Sequence, residues 1–168
     1  MAKEALAEGD HGAAANIYAQ ILQREPENLA AIGGLARAHV AAKQLAKARQ
    51  VLDRAGVGSE RHVDIVGART ALELAEAGEK AAGQVGALRQ RIAADPNDNE
   101  ARLELATALF GGGEREAAVD ELLTLVRRDR AWNEEAGRKQ LVKFFEAMGP
   151  TDPLTLSARR RLSSILFS

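Results

Sequence analysis

The run Phe110-Gly111-Gly112-Gly113-Glu114-Arg115 is the first place in the chain where residue types and spacing could do chemistry. Three successive glycines beside charge can form a backbone cradle for phosphate, which would make the protein a nucleotide-using enzyme. Such a cradle needs a strand before the first glycine and a Lys-Ser/Thr pair after the last. Here a helical pattern precedes, Glu114-Arg115 follows, and the neighbouring carboxylates repel phosphate. The run reads instead as the turn between two helices, because glycine tolerates positive φ and closes a helix. The other reactive types form no better constellation. His11, His39 and His62 are far apart in sequence and match no pattern such as HExxH. Ser163 and Ser164 lack a glycine elbow. The chain has no cysteine, which removes disulfides, thiolate zinc sites and thiol catalysis. No catalytic, cofactor-binding or metal-binding residue is assigned, and the chain is read as a non-enzyme.

The elements around these residues are helical. Of 168 residues, 46% are hydrophobic and 28% charged, enough to bury a core and stay soluble, whereas aromatics are only 4%. Alanine, the best helix former, dominates many windows and permits close helix–helix approach. Strand-like runs of Val, Ile, Thr and Tyr are absent. No run of roughly 18 apolar residues offers a membrane span. The opening MAKEALAEGD lacks the apolar core of a signal peptide, and a cytoplasmic location is expected.

An internal repeat orders the helices. Ala14, Tyr18 and Ile21 precede Pro26; Ala48, Leu52 and Ala55 precede Glu60; Ala118, Leu122 and Leu125 precede Arg130. Pro26 and Glu60 are 34 positions apart, as are Pro96 and Arg130, while Glu60 and Pro96 are 36 apart. A period of about 34 belongs to the tetratricopeptide repeat, a helix–turn–helix in which small residues let the second helix approach the first. The preceding helices agree, with Ile32, Leu35, Ala36 and His39 on one face and Leu105, Ala106 and Leu109 on another. His39 therefore reads as packing. The unit 61–96 is the degenerate one: its two extra residues are expected in the turn AGEKAAG, and Gly83 and Gly86 weaken its second helix. The expected fold is all-α, a right-handed α-solenoid of about five tetratricopeptide-like helix pairs. It forms a single domain over 1–168, with units of roughly 2–26, 28–60, 61–96, 97–130 and 132–168. In the last unit, Asn133 is expected to cap a helix through Met148 that Gly149-Pro150 stops, and Thr151 or Asp152 to cap a final helix with Pro153 in its first turn.

The tail RRDRAWNEEAGRKQLVKFFEAMGPTDPLTLSARRRLSSILFS, together with the opening AEGDHGAAANIYAQILQREPEN, resembles the C-terminal region of YbbN-like proteins, also called CnoX or chaperedoxins. The resemblance covers essentially the whole chain, and the tail is its most specific part. Members of that family are cytoplasmic bacterial proteins with an N-terminal thioredoxin-fold domain and a C-terminal tetratricopeptide-like domain. No thioredoxin-fold domain and no cysteine appear in this sequence, so the family's redox behaviour cannot be carried onto these residues; the chain looks like the C-terminal portion of a longer protein. The resemblance implies protein binding: a co-chaperone or holdase engaging unfolded clients and a chaperonin or Hsp70-type chaperone. The alternative is a structural or oligomerisation scaffold without client binding.

Candidate partner-binding residues lie in two places. On the final helix they are Arg159, Arg160, Arg161, Leu162, Ile165, Leu166 and Phe167, which either cap the solenoid or dock in a partner groove. On the concave face of the first helices of each pair they are Arg37 and Val40, then Leu103, Thr107 and Phe110. Trp132 either anchors the last pair or serves as an interface hot spot. Residues 1–126 hold 14 Lys/Arg against 19 Asp/Glu, and residues 127–168 hold 9 against 5, a basic end able to steer an acidic partner. The runs RRDR and RRR do not make a nucleic-acid surface, because Asp129, Glu134, Glu135 and Glu146 interrupt them. Neither nucleic acid nor membrane is an expected partner.

Overall fold

Alanine-rich apolar periods punctuated by Asp and Asn become helices and helix starts. The computed structural model describes residues 1–167; Ser168, the last residue of the expected fifth unit, lies outside the described residues. In chain order the helices are α1 (Ala2–Ala7), α2 (His11–Arg24), α3 (Leu29–Ala41), α4 (Leu45–Leu52), α5 (Val63–Ala81), α6 (Val85–Ala94), α7 (Asn99–Gly112), α8 (Arg115–Arg128), α9 (Trp132–Met148) and α10 (Pro153–Phe167). Among the described residues no strand occurs, and the fold is all-α, of the α-solenoid class built from helix pairs. Side chains set several helix starts. Asp10 accepts from the Ala13 amide, Asn28 from Ala31 and Asp98 from Ala101, each at 2.9 Å. Each such cap satisfies an orphan donor and is worth about 1 kcal/mol.

The helices gather into two compact units, and the division falls inside α5, after Glu73. In the first unit α2 packs on α1 and α3, and α3 on α4. Its core holds Tyr18, Leu22, Ile32, Leu35, Leu52, Ile65 and Leu72. Two adjacent glycines of α3 set the spacing. A Cβ at Gly33 would sit 2.5 Å from the carbonyl oxygen of Asp64, and one at Gly34 would overlap the Tyr18 ring. Glycine in mid-helix lowers helix propensity, and here close approach on two sides requires it.

In the second unit α7 packs on α6 and α8, α8 on α9, and α10 against both α8 and α9. Leu105, Leu109, Leu122, Leu125, Leu141 and Phe144 are buried. Arg102, only 7% exposed, binds Glu121 of α8 at 2.5 Å and the Pro96 carbonyl at 3.3 Å through its two terminal nitrogens, so its buried charge has a carboxylate partner. Of α6 only Leu88 is buried, while Val85 and Ile92 are half-buried. This helix has the least apolar anchoring of its unit and carries Gly86, with Gly83 in the 3-10 turn just before it.

Three local expectations are corrected. The extra length of the third repeat does not open a loop at AGEKAAG: α5 runs on through Ala81, and a 3-10 turn, Ala82–Gln84, carries the change of direction. Asn133 does not cap α9. Asn133, Glu134 and Glu135 all adopt left-handed backbone, at φ of 46°, 54° and 63°, and the Asp129 carboxylate instead accepts from the Trp132 amide at 3.0 Å. Each left-handed residue costs about 1–2 kcal/mol, so this bend stores strain where the chain turns from α8 into α9. Asp152 takes the cap of α10 as expected, accepting from the Leu154 amide at 2.8 Å.

The third correction concerns the triple glycine. Gly111 and Gly112 belong to α7, and only Gly113, at φ of 97°, makes the turn. Gly111 lies against Gly78 of α5: a Cβ on Gly111 would overlap the Gly78 Cα and sit 2.7 Å from the Leu74 carbonyl oxygen. Nothing lies within 4 Å of a Cβ added at Gly112. The neighbours should therefore respond with opposite sign. Gly111→Ala is expected to lower stability by about 1–3 kcal/mol through overpacking. Gly112→Ala should raise it by up to about 1 kcal/mol. Thermal unfolding followed by circular dichroism checks both, and equal shifts would contradict the assignment.

Candidate partner-binding surfaces

The final helix divides its residues between packing and solvent. Ala158, Leu162 and Ile165 are buried, Leu154 and Leu166 half-buried, and Thr155 fully buried. On the opposite side Leu156, Arg160, Ser163 and Phe167 follow one another at helical spacing and are exposed, Phe167 at 87%. The three consecutive arginines have different surroundings. Arg159 lies over the Phe145 ring, 5.5 Å from its centroid, in cation–π geometry. Arg161 pairs with Asp120 of α8 at 2.8 Å. Arg160 points to solvent. An ion pair Arg115–Asp152 at 3.2 Å ties the start of α8 to the start of α10.

The candidates on the first helices of the pairs are engaged by neighbouring structure. Leu103, Thr107 and Phe110 lie along α7 and are half-buried. The Phe110 ring stacks on Phe144 of α9, with centroids 4.1 Å apart and planes 18° apart. The Thr107 hydroxyl donates to the Leu103 carbonyl at 3.1 Å and accepts from Gln140 of α9 at 3.3 Å. In the other unit Val40 packs against the core at its edge. Arg37 is half-buried close to Tyr18 and Asp64. Burial lowers the pKa of Arg37, opposed by the attraction of Asp64, and burial raises that of the Tyr18 phenol. These two groups of candidates belong to separate units.

Reactive groups do not converge. His39 lies 3.1 Å from the Gln44 side chain across the α3–α4 turn, and His62 lies 3.8 Å from Asp64. Among the described residues no group of three His, Cys, Asp or Glu side chains could hold a metal ion, and no helix is long and apolar enough to cross a membrane. Trp132 is half-buried at the strained start of α9. The sequence reading missed one feature, a shallow cleft lined by Arg127, Arg130, Ser164 and Ile165. Its signal was present in the basic excess of residues 127–168 and in the run RRDR.

Helix pairs held in close approach by small residues describe a repeat architecture. A family model described as tetratricopeptide repeat matches residues 78–167, and a second of the same description matches residues 5–56. The chain belongs to the tetratricopeptide repeat family. Among curated proteins, this tetratricopeptide chain is 36% identical over 102 residues to cellulose synthase operon protein C of Komagataeibacter xylinus. The same protein of Komagataeibacter sucrofermentans is 35% identical over 102 residues. The match takes in 61% of the tetratricopeptide chain but spans only 8% of the length of these relatives. Among solved structures, a domain of protein VP0806, of unknown function, from Vibrio parahaemolyticus aligns over 98% of this chain and 95% of that one. Its identity is 22% and its TM-score 0.49. As a tetratricopeptide module the chain is a protein–protein interaction module.

One buried group in this region is unsatisfied. The Thr155 hydroxyl, at 0% exposure, has no hydrogen-bond partner among the described residues. An orphaned buried hydroxyl costs about 1–3 kcal/mol, and valine has the same shape. Thr155→Val is expected to raise the unfolding free energy by about 1 kcal/mol in urea titrations, and a loss of stability would show that the hydroxyl has a partner.

Proposed function

We propose that the chain is the partner-binding part of a cytoplasmic thioredoxin-like co-chaperone or holdase of the chaperedoxin kind, engaging unfolded clients and a chaperonin or Hsp70-type chaperone. The observation that carries this reading is the two-sidedness of α10. Its inner residues Ala158, Leu162 and Ile165 are buried, while Leu156, Arg160 and Phe167 are exposed on the tail that most resembles the family. An exposed stripe of leucine, arginine and phenylalanine at helical spacing is the form a helix takes when it docks in a partner's groove. The capping and docking roles of α10 are thus compatible. Docking would use Arg160 and Phe167, and capping would use Leu162 and Ile165.

A second reading is a scaffold segment without client binding. It is favoured by the identity with cellulose synthase operon protein C, a relative more than ten times longer than the matched stretch. In that case the exposed stripe would face further helices of the same long array, as terminal repeats do when stacked.

The full chain separates the two. The first reading expects it to suppress aggregation of a chemically denatured client and to be retained by immobilised chaperonin. Replacing Leu156 and Phe167 with serine should weaken both at unchanged helical content, because neither side chain is buried. A chain inert in both assays that self-associates in analytical ultracentrifugation would support the scaffold reading and exclude the first.

A further inference from the structure

We infer that the cleft between the C-terminal ends of α8 and α10 is a docking site for an acidic segment of a partner protein. The cleft, about 360 Å³, is shallow, open and polar, and is lined by Arg127 and Arg130 at the end of α8 and by Ser164 and Ile165 of α10. Its shape admits side chains of an extended segment and does not enclose a small molecule. Ile165 is buried and supplies an apolar floor, while Arg127, Arg130 and Ser164 are exposed at the rim.

Charge decides the occupant. Four of the nine basic groups of the tail have partners that neutralise or shield them: Arg138 pairs with Glu135, Lys139 with Glu134 and Arg161 with Asp120, and Arg159 lies over Phe145. The arginines at the end of α8 differ. Among the described residues no carboxylate lies within ion-pair distance of Arg127, Arg128 or Arg130. The nearest carboxylate in sequence, Asp129, accepts from the Trp132 amide. Arg128 donates to the Asn97 side chain at 2.8 Å, and Arg130 to the Leu166 carbonyl at 3.0 Å. The second contact holds Arg130 against the end of α10, which pre-orients its guanidinium at the cleft. A guanidinium has five N–H donors, so one carbonyl contact leaves others for a carboxylate. Two such groups beside a hydroxyl donor complement a run of Asp or Glu. A nucleic acid fits less well, because phosphate binding wants a continuous basic track and Glu134 and Glu135 interrupt this one.

The proposal depends on the interaction-module reading only in making the occupant a protein segment. The test needs no chaperonin: fluorescence anisotropy of the full chain with a fluorescein-labelled hexaglutamate peptide, a hexalysine peptide and a labelled oligothymidylate, alongside amide shifts by nuclear magnetic resonance. We expect hexaglutamate alone to bind, with shifts centred on Arg130, Ser164 and Ile165. The double variant Arg127→Gln/Arg130→Gln should weaken binding roughly tenfold, the product of two exposed charge contacts. Ser164→Glu, which leaves the Arg130 contact with α10 intact, should weaken it as much, and Arg24→Gln, exposed in the first unit, should not. Raising salt from about 0.15 to 0.5 M should weaken binding further. Undiminished binding in both cleft variants, no binding at millimolar peptide, or tighter binding of oligothymidylate would each overturn the proposal. A chain that binds the peptide but protects no client keeps the cleft and loses the co-chaperone reading, and the converse result does the reverse.

Discussion

Close approach of helix backbones is the constraint on which each unit depends. Glycine provides it at particular contacts: Gly33 against the Asp64 backbone, Gly34 against the Tyr18 ring, Gly78 against Gly111, and Gly137 against Leu125. Alanine lines the buried faces around these points, with Ala14, Ala36, Ala48, Ala106 and Ala118 all at 0% exposure. A side chain larger than a methyl group at such positions would push two helices apart and open the space that Leu and Phe fill. At core density, the lost contacts would be felt along the whole interface. The loss of intrinsic helix propensity at these five glycines is offset by packing that no bulkier residue permits.

Helical class and pairing were legible because they are written in periodicity. Small and large residues recur three and four apart, and Asp and Asn stand at helix starts where their side chains cap. Which glycine turns the chain was not legible from composition. Gly111, Gly112 and Gly113 are adjacent and chemically identical, yet one touches a facing helix, one is free of contacts and one adopts positive φ. That distinction depends on Gly78, 33 positions earlier in the sequence. The left-handed run Asn133–Glu135 was equally hidden, since glutamate has no preference for that conformation and only the tertiary path of α9 imposes it.

The candidate surfaces show the same split. The basic excess of the tail is visible in the sequence, but its neutralisation is not. Arg159, Arg160 and Arg161 are consecutive and point 100° apart around α10, so a single run meets an aromatic ring, solvent and an aspartate in turn. The two arginines that share a cleft without a carboxylate partner among the described residues, Arg127 and Arg130, stand at the end of α8, where no periodic pattern singles them out. Likewise Phe110 lay on a face expected to be open, and Phe144, one repeat later, covers it. The surfaces proposed for binding therefore lie at the end of α8 and on the outer side of α10, where side chains are left exposed.

The direct test of the close-approach account is a nuclear Overhauser measurement between α-protons of Gly78 and Gly111. The account predicts a strong cross-peak, since the two Cα atoms lie in van der Waals contact. Glycine α-protons that show cross-peaks only within their own helices would contradict it.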